Sequence, residues 1–139
     1  MDTKGRVSIP SSYREELVRR SPEAPILTLG RECLELYPFE DWQAQERQLK
    51  NASTFDVNVA KLRRWKISGC AEAKIDTQGR LQIPPFMRDH AHLGRDVVVA
   101  GVGDYVELWD KARFEADISA TQAQLDDIQQ LVSEVEKGS

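Results

Sequence analysis

One thirteen-residue segment occurs twice in this sequence. Residues 2–14 read DTKGRVSIPSSYR, residues 76–88 read DTQGRLQIPPFMR, and seven of the thirteen positions are identical. An internal repeat indicates two copies of one supersecondary unit, so the chain must adopt a fold that accommodates both. Any surface that the motif builds is therefore expected twice, with its two copies related by approximate symmetry.

Each motif begins with residues that predict a tight turn. Asp2 and Asp76 stand at the head of Asp-Thr-x-Gly segments, where an aspartate side chain accepts hydrogen bonds from backbone groups two residues later. Gly5 and Gly79 supply the positive φ angle that such a turn requires. The structural role of the two aspartates explains them without a catalytic function.

The residues after each turn predict a strand and then a helix. Polar and apolar residues alternate over 6–9 and 80–83, as in a half-buried strand whose apolar side chains point inward. Proline follows each strand and has no amide hydrogen to continue the pairing. A capping box predicts a helix that starts near Ser12, and Gly94 is the expected end of its counterpart in the second copy.

Each half of the chain then contains two apolar runs separated by a glycine-containing turn, which is typical of a β-hairpin. These runs lie at 25–29, 33–37, 97–100 and 105–109. We therefore divide the chain into a first repeat with its following helices, residues 1–66, and a second repeat with a C-terminal helix, residues 67–139.

Two helices are predicted between the repeats, over 39–50 and 56–67, with a break near Ala52-Ser53-Thr54. Their expected core residues are Trp42, Leu49, Val59, Leu62 and Trp65. The second helix also carries a cationic cluster, Lys61, Arg63, Arg64 and Lys66. A solvated helix face, a phosphate contact and a salt bridge between subunits all explain such a cluster.

The C-terminal segment has a heptad-like apolar pattern. Ile118, Leu125, Ile128, Val132 and Val135 follow steps of seven, three, four and three. The run is too short for an independent coiled coil. We expect it to pack against its own domain or against a neighbouring subunit.

Composition narrows the functional classes. The net charge of −4 argues weakly against nucleic acid, but residues 1–75 carry 13 Lys/Arg against 11 Asp/Glu, whereas residues 76–139 carry 6 against 12. A basic face in the first part is therefore compatible with the acidic average. No apolar run has the length of a membrane span, and no signal peptide is recognisable. Two cysteines at an unsuitable spacing for metal or redox chemistry indicate free thiols of a cytosolic protein.

No enzyme site is predicted, and no cofactor or metal is expected. His90 and His92 lie two apart on a predicted helix and cannot share one face. Gly101-Val102-Gly103 precedes a strand rather than a helix, so it indicates a hairpin turn rather than a dinucleotide loop.

The paired Asp-x-x-Gly-Arg-x-x-Ile-Pro segments, with Leu-Arg-Arg-Trp at 62–65 and Val-Glu-Leu-Trp-Asp at 106–110, resemble the MraZ family. The resemblance extends from Asp2 to about Asp117. It implies an α+β fold in which two tandem swapped-hairpin, AbrB-like half-barrels form one intrachain pseudo-dimer, with connecting helices and a C-terminal helix.

The same resemblance implies a function. Members of the family are bacterial transcriptional regulators that form homo-oligomeric rings and bind double-stranded DNA. Their implied target is a set of short G-rich direct repeats in the promoter of the gene cluster for cell division and cell wall synthesis. The implied location is the cytoplasm, in association with the nucleoid and with no membrane.

Site residues follow from the resemblance, position by position. The motifs would face DNA, with Arg6 and Arg80 as candidates for guanine recognition, because the planar fork of arginine matches guanine O6 and N7. Candidates for phosphate contacts are Lys4, Arg14 and Arg88. Turn-forming residues are Asp2, Gly5, Asp76 and Gly79.

This chain departs from the family pattern in two respects. Lys4 is replaced by Gln78 in the second copy. Family members also carry several residues before the first motif, and the second copy has a leading strand over 70–75 that the first copy lacks. Either residues precede Met1 in the natural protein or the first repeat is short of one strand, which would leave a sheet edge open.

Two other functions are compatible with parts of the sequence. Another AbrB-like regulator would share the motif, but such proteins usually carry one copy per chain. A ring-forming interaction or scaffold protein that does not bind DNA would agree with the acidic tail and the negative net charge.

Overall fold

The computed structural model describes residues 1–53 and 55–138. Thr54 in the predicted break between helices and Ser139 at the end of the second segment lie outside the described residues. The helices and strands are β1 (Arg6–Ser8), α1 (Ser11–Arg20), β2 (Ile26–Leu29), β3 (Leu34–Tyr37), α2 (Phe39–Asn51), α3 (Val57–Ser68), β4 (Ala71–Glu72), β5 (Arg80–Gln82), α4 (Pro85–Ala91), β6 (Val97–Gly101), β7 (Val106–Asp110), α5 (Lys111–Ala123) and α6 (Leu125–Lys137).

The strands of the two motifs pair with each other. β1 and β5 form an antiparallel ribbon centred on the pair Val7 and Leu81. Two further backbone bonds extend the ribbon symmetrically, from Ile9 N to the carbonyl of Gly79 at 2.9 Å and from Ile83 N to the carbonyl of Gly5 at 2.9 Å. The duplicated sequence therefore produces a duplicated geometry, with each motif strand held by the other.

The remaining strands form one antiparallel sheet in the order β4-β2-β3-β7-β6. β2 and β3 come from the first segment of the chain, whereas β4, β6 and β7 come from the second. β4 pairs along β2 at Ile26–Glu72 and Leu27–Ala71. The two sequence repeats thus share one sheet, while the boundary at residue 66 stays a prediction.

A single apolar cluster lies between the ribbon and the sheet. The side chains with no exposed surface include Leu34 and Leu36 of β3, Leu81 of β5, Met87 of α4 and Leu108 of β7. Because this core draws on both copies of the motif, the ribbon packs against the sheet through side chains of both repeats.

The structure confirms most of the predicted elements. All four apolar runs form strands, and both sequence hairpins are present as β2–β3 and β6–β7. The first motif helix begins at Ser11, one residue before the predicted start. Pro10 is its N-cap and no side chain caps it, so the predicted capping box at Ser12 is wrong. The second ends at Ala91, where His92 adopts a left-handed conformation with φ 51° and Gly94 lies farther on.

The prediction of core residues in the two connecting helices is wrong at two positions. Trp42 is buried, and Leu49 and Val59 are half-buried. Leu62 and Trp65 instead keep 47% and 39% of their surface exposed. α3 has no fully buried residue, so an apolar residue on this helix does not imply a place in the core.

The fold class is α+β, with antiparallel sheets and six helices in the described part of the chain. The swapped-hairpin pseudo-dimer stays a prediction. Across residues 1–53 and 55–138, no helix combines the length and apolarity needed to cross a membrane.

Candidate nucleic-acid interface

Each motif arginine is held by the aspartate that heads its own turn. Asp2 Oδ1 accepts hydrogen bonds from the backbone N–H groups of Lys4 and Arg6, both at 2.9 Å, and Oδ2 accepts from Arg6 Nε at 2.8 Å. Asp76 repeats this pattern, with its Oδ2 accepting from Arg80 Nε at 2.9 Å. Only Nε of each guanidinium is engaged, because the terminal nitrogens donate to no described residue.

These bonds stabilise the charged form of both carboxylates. The backbone N–H of Arg6 is the largest cause that lowers the pKa of Asp2, and the guanidinium of the same residue lowers it further. Arg80 does the same for the pKa of Asp76. Each turn therefore keeps an ionised aspartate as a fixed support for its arginine.

Arg6 and Arg80 project from the same face of the ribbon. Arg6 lies opposite Gln82, and Arg80 lies opposite Ser8. Directly opposed residues share a face in an antiparallel pair, and so do residues two apart on one strand. The arginines are therefore diagonal neighbours, with Cα atoms roughly 7–8 Å apart. Their side chains keep 24% and 30% of their surface exposed, so the predicted pair is partly accessible to solvent.

A cleft of about 630 Å³ joins the two arginines to further cations. Its charged lining residues are Arg6, Arg80, Arg95, Lys111, Asp2 and Asp96. The cations outnumber the acids, so this part of the surface is locally positive on a chain whose net charge is −4. A cleft lined by one dominant charge concentrates the field and attracts the opposite charge.

Arg95 and Lys111 were not predicted from the sequence. Arg95 lies between α4 and β6, and Lys111 is the first residue of α5. Met1, Asp2 and Arg95 line the same cleft, so this loop lies beside the first motif. Neither cation belongs to the repeated motif, so the internal repeat contains no signal that would have identified them.

Arg14 and Arg88 occupy equivalent positions at the boundary between the repeats. Arg14 Nε donates to the carbonyl of Ile9 at 3.0 Å, and Arg88 Nε donates to the carbonyl of Ile83 at 2.8 Å. Each guanidinium lies against the turn glycine of the opposite copy, Arg14 against Gly79 and Arg88 against Gly5. Both arginines are half-buried, so they have a structural role in addition to the phosphate contact predicted for them.

Lys4 occupies the exposed tip of the first turn. Its carbonyl accepts a hydrogen bond from Gln82 Nε2 at 2.8 Å, while its ammonium group forms no ion pair or hydrogen bond with the described residues. The hydrogen bond from Gln82 therefore holds the backbone of the turn in place, while the ammonium group of Lys4 stays free to contact a ligand. Gln78 holds the same place in the second turn and contributes no charge.

The cationic cluster on α3 separates into two pairs. Arg63 donates to the carbonyls of Leu49 and Ala52, at 2.7 Å each, and so satisfies the C-terminal end of α2. Lys66 donates to the carbonyl of Leu29 and forms an ion pair with Glu35 that is mostly buried. These two cations therefore stabilise the fold.

The other pair, Lys61 and Arg64, is exposed, and neither side chain forms an ion pair or a hydrogen bond with residues 1–53 and 55–138. Both border a groove of about 700 Å³ whose apolar residues include Trp65 and Phe86. This groove is distinct from the cleft between the motif arginines, because the two have no lining residue in common.

The histidines have no arrangement suited to a metal. His90 Nε2 lies 2.7 Å from the carbonyl of Gly30, and its ring packs edge-on against Trp65. In the described residues, no three His, Cys, Asp or Glu side chains are grouped so that they could hold an ion.

Comparison with known proteins agrees with the duplicated motif. The family model described as "MraZ protein, putative antitoxin-like" matches residues 1–64 and 67–131. The relatives of this chain include proteins that carry the name Transcriptional regulator MraZ. The protein of Acetivibrio thermocellus is 41% identical over 84% of this chain and 79% of its own length. That of Alkaliphilus oremlandii is 37% identical over 97% of this chain and 92% of its own length, and that of Solidesulfovibrio magneticus is 34% identical over 88% and 82%. The chain therefore belongs to the MraZ family.

Proposed function

We propose that this protein is a DNA-binding transcriptional regulator that reads double-stranded DNA with the two motif arginines. The observation that carries the proposal is the placement of Arg6 and Arg80 on one exposed face of the β1–β5 ribbon. A two-stranded ribbon is narrow enough to enter the major groove of B-DNA. The names of the relatives, transcriptional regulators, support the same class of activity.

The aspartates prepare both arginines for base recognition. Asp2 and Asp76 hold the Nε atoms at 2.8 and 2.9 Å, which leaves the two terminal nitrogens of each guanidinium for a bidentate contact with guanine O6 and N7. Since the side chains are already oriented, less conformational entropy is lost when DNA binds. Further cations would contact the phosphate backbone and so fix the register of the protein on the duplex. They are Lys4, Arg14 and Arg88, together with Arg95 and Lys111 of the cleft.

The proposed operator is a set of short G-rich direct repeats in the promoter of the gene cluster for cell division and cell wall synthesis. One chain offers two arginine contacts, which is too few for strong binding alone. Several subunits, arranged as a homo-oligomeric ring of swapped-hairpin pseudo-dimers, would engage successive repeats and gain affinity by avidity. We place the protein in the cytoplasm, in association with the nucleoid.

Binding to two duplexes tests the proposal. Fluorescence anisotropy would compare a duplex that carries tandem G-rich repeats with a scrambled duplex of the same composition, at one fixed salt concentration. Arg6→Ala and Arg80→Ala should each weaken binding to the repeats about 5-fold to about 150-fold, which corresponds to the 1–3 kcal/mol of one bidentate contact. Binding to the scrambled duplex should change much less, because it depends on phosphate contacts.

Arg47→Ala is the matched control. Arg47 is an exposed arginine on α2, so its removal changes the net charge equally without touching the ribbon. If Arg6→Ala and Arg80→Ala bind the repeats as tightly as Arg47→Ala does, the proposed role of the motif arginines is wrong.

A further inference from the structure

α3 presents an exposed apolar strip bordered by cations. Trp65 on α3 and Phe86 on α4 keep 39% and 51% of their surface exposed, and they line one groove together with Leu29. Lys61 and Arg64 border this groove. Lys61, Arg64 and Trp65 follow the three- and four-residue spacing of a single helix face, so the apolar floor and the positive rim form one continuous surface, which we call the α3 groove.

α6 carries the complementary pattern. None of its residues is fully buried, although its sequence is strongly amphipathic. Leu125, Leu131, Val132 and Val135 keep 42%, 61%, 52% and 73% of their surface exposed. They lie on one face of the helix together with the half-buried Ile128. Such an apolar stripe on a surface helix normally packs against another element.

Acidic side chains border the stripe of α6. Asp127 and Glu134 are seven residues apart, so they lie two turns apart along one edge of the helix, next to Leu131. Asp126 lies on the opposite side. The apolar stripe with its acidic edge therefore matches the apolar floor of the α3 groove with its cationic rim.

We propose that α6 of one copy of this chain binds in the α3 groove of a second copy. The occupant is a second copy because both surfaces are exposed within one chain and because they complement each other in apolar character and charge. α3 packs against β2, near one edge of the sheet, whereas α5, which leads into α6, packs against β7 and β6 at the opposite edge. This inference rests on the proposed homo-oligomer and names the contact that builds it.

A groove on one copy and a helix on the next form a head-to-tail interface. Such an interface generates a ring when the rotation closes and a filament when it does not. Direct pairing of α6 with a second α6 would be a symmetric alternative, but it would bring the acidic edges of both helices together. Like charges across an interface are unfavourable, so the groove is the better partner.

Charge reversal on each surface provides the test, in the full-length protein without DNA. One variant combines Lys61→Glu with Arg64→Glu, and the other combines Asp127→Lys with Glu134→Lys. All four side chains are exposed, so the fold should be unaffected, which circular dichroism would verify. Light scattering after size-exclusion chromatography at low ionic strength should show a dissociation constant at least about tenfold higher for either variant.

The controls are Asp126→Lys and Arg47→Glu. Asp126 lies in the same first turn of α6 as Asp127, so its reversal matches the effect of Asp127→Lys on net charge and on the helix dipole but leaves the edge of the stripe intact. Arg47→Glu reverses an exposed cation on α2. Both controls should retain the wild-type mass.

An equimolar mixture of the two reversed variants should assemble to a larger mass than either variant alone, because each groove again meets an α6 of opposite charge. Failure of the mixture to reassemble would overturn the contact. An unchanged mass of the Lys61→Glu, Arg64→Glu variant would also overturn it while leaving the assembly itself in place, as expected for α6–α6 pairing. A monomeric wild-type protein would overturn both this contact and the proposed oligomer.

Discussion

The guanidinium of Arg14 lies against Gly79 of the opposite repeat, so that a Cβ atom on this glycine would be 2.6 Å from Cζ of Arg14. Gly79 also has a φ of 80°, in the left-handed region that favours glycine. Two independent requirements, one conformational and one steric, therefore fix glycine at this turn. They also connect the folding of one motif to the side chain of the other.

Gly79→Ala should lower the free energy of unfolding by about 2–3 kcal/mol, with 1–2 from the left-handed backbone and the rest from displacement of Arg14. Urea denaturation would measure the loss. Gly103→Ala is the control, because Gly103 also has a positive φ but no heavy atom lies within 4 Å of its Cβ position. Equal losses for the two variants would show that the contact with Arg14 contributes nothing.

Replacement of Arg14 by lysine separates its structural role from its charge. Arg14→Lys keeps a cation but removes the Nε donor that contacts the carbonyl of Ile9 at 3.0 Å. We expect a loss of about 1 kcal/mol in unfolding free energy. If Arg14 also contacts phosphate, the salt dependence of DNA binding should be nearly that of the wild type, and Arg14→Gln should reduce its slope by about 1. Equal slopes for Arg14→Gln and the wild type would leave the residue with a structural role alone.

The two turn aspartates should make stability depend on pH in the acid range. Hydrogen bonds from Arg6 and Arg80 lower the pKa of Asp2 and Asp76 in the folded state. A lowered folded pKa gives stability that is present above the unfolded pKa, roughly 3.9, and is lost as pH falls through the folded pKa. The Asp2→Asn, Asp76→Asn variant should therefore be less stable than the wild type at neutral pH.

The difference between this variant and the wild type should shrink as the pH falls from about 5 to about 2. Urea denaturation at a series of pH values would measure it. The Asp126→Asn variant controls for a general effect of carboxylate loss, because Asp126 is an exposed residue of α6. A wild-type advantage that persists undiminished at pH 2 would contradict the role of these carboxylates.

The two cysteines should differ in reactivity. Burial is the largest cause that raises the pKa of the Cys33 thiol to about 12, and the nearby carboxylates of Glu107 and Glu35 raise it further. Burial also raises the pKa of Cys70, but this residue is only half-buried. Since the thiolate is the reactive form, a thiol reagent at pH 8 should label Cys70 first and Cys33 only after denaturation. Cys70→Ser should abolish the native-state labelling, and rapid labelling of that variant would contradict the burial of Cys33.

The repeat made the local structure of the motifs predictable. Turn, strand and inward side chains depend on residues within the motif itself, so Val7 and Ile9 are buried as the alternation indicates. The contacts of Arg14 and Arg88 with the opposite turns depend on how the two copies approach each other. A single sequence contains no direct signal of that approach, so the sequence predicts only a phosphate contact for both residues.

Tertiary packing of the helices is even harder to predict from one sequence. Leu62 and Trp65 are apolar and have the spacing of core residues, yet both are exposed. Hydrophobic spacing identifies a face that packs, but it does not say whether the partner belongs to the same chain. The sequence also gives no indication of a role for Arg95, because only the tertiary structure brings this residue to the cleft between the motifs.

The difference between Lys4 and Gln78 predicts that DNA affinity can be increased by a single substitution. Both residues occupy the exposed tip of a motif turn and have the same backbone bond to the turn aspartate, at 2.9 Å. Gln78→Lys therefore adds a cation at a position where the equivalent lysine is already compatible with the turn.

Each added phosphate contact should steepen the plot of log affinity against log salt concentration by about 0.9. Anisotropy titrations at several salt concentrations would measure the slope. Gln43→Lys, on the exposed surface of α2, makes the same change in net charge away from the motifs, so a slope that steepens equally in both variants would indicate a general charge effect rather than a contact at the second turn.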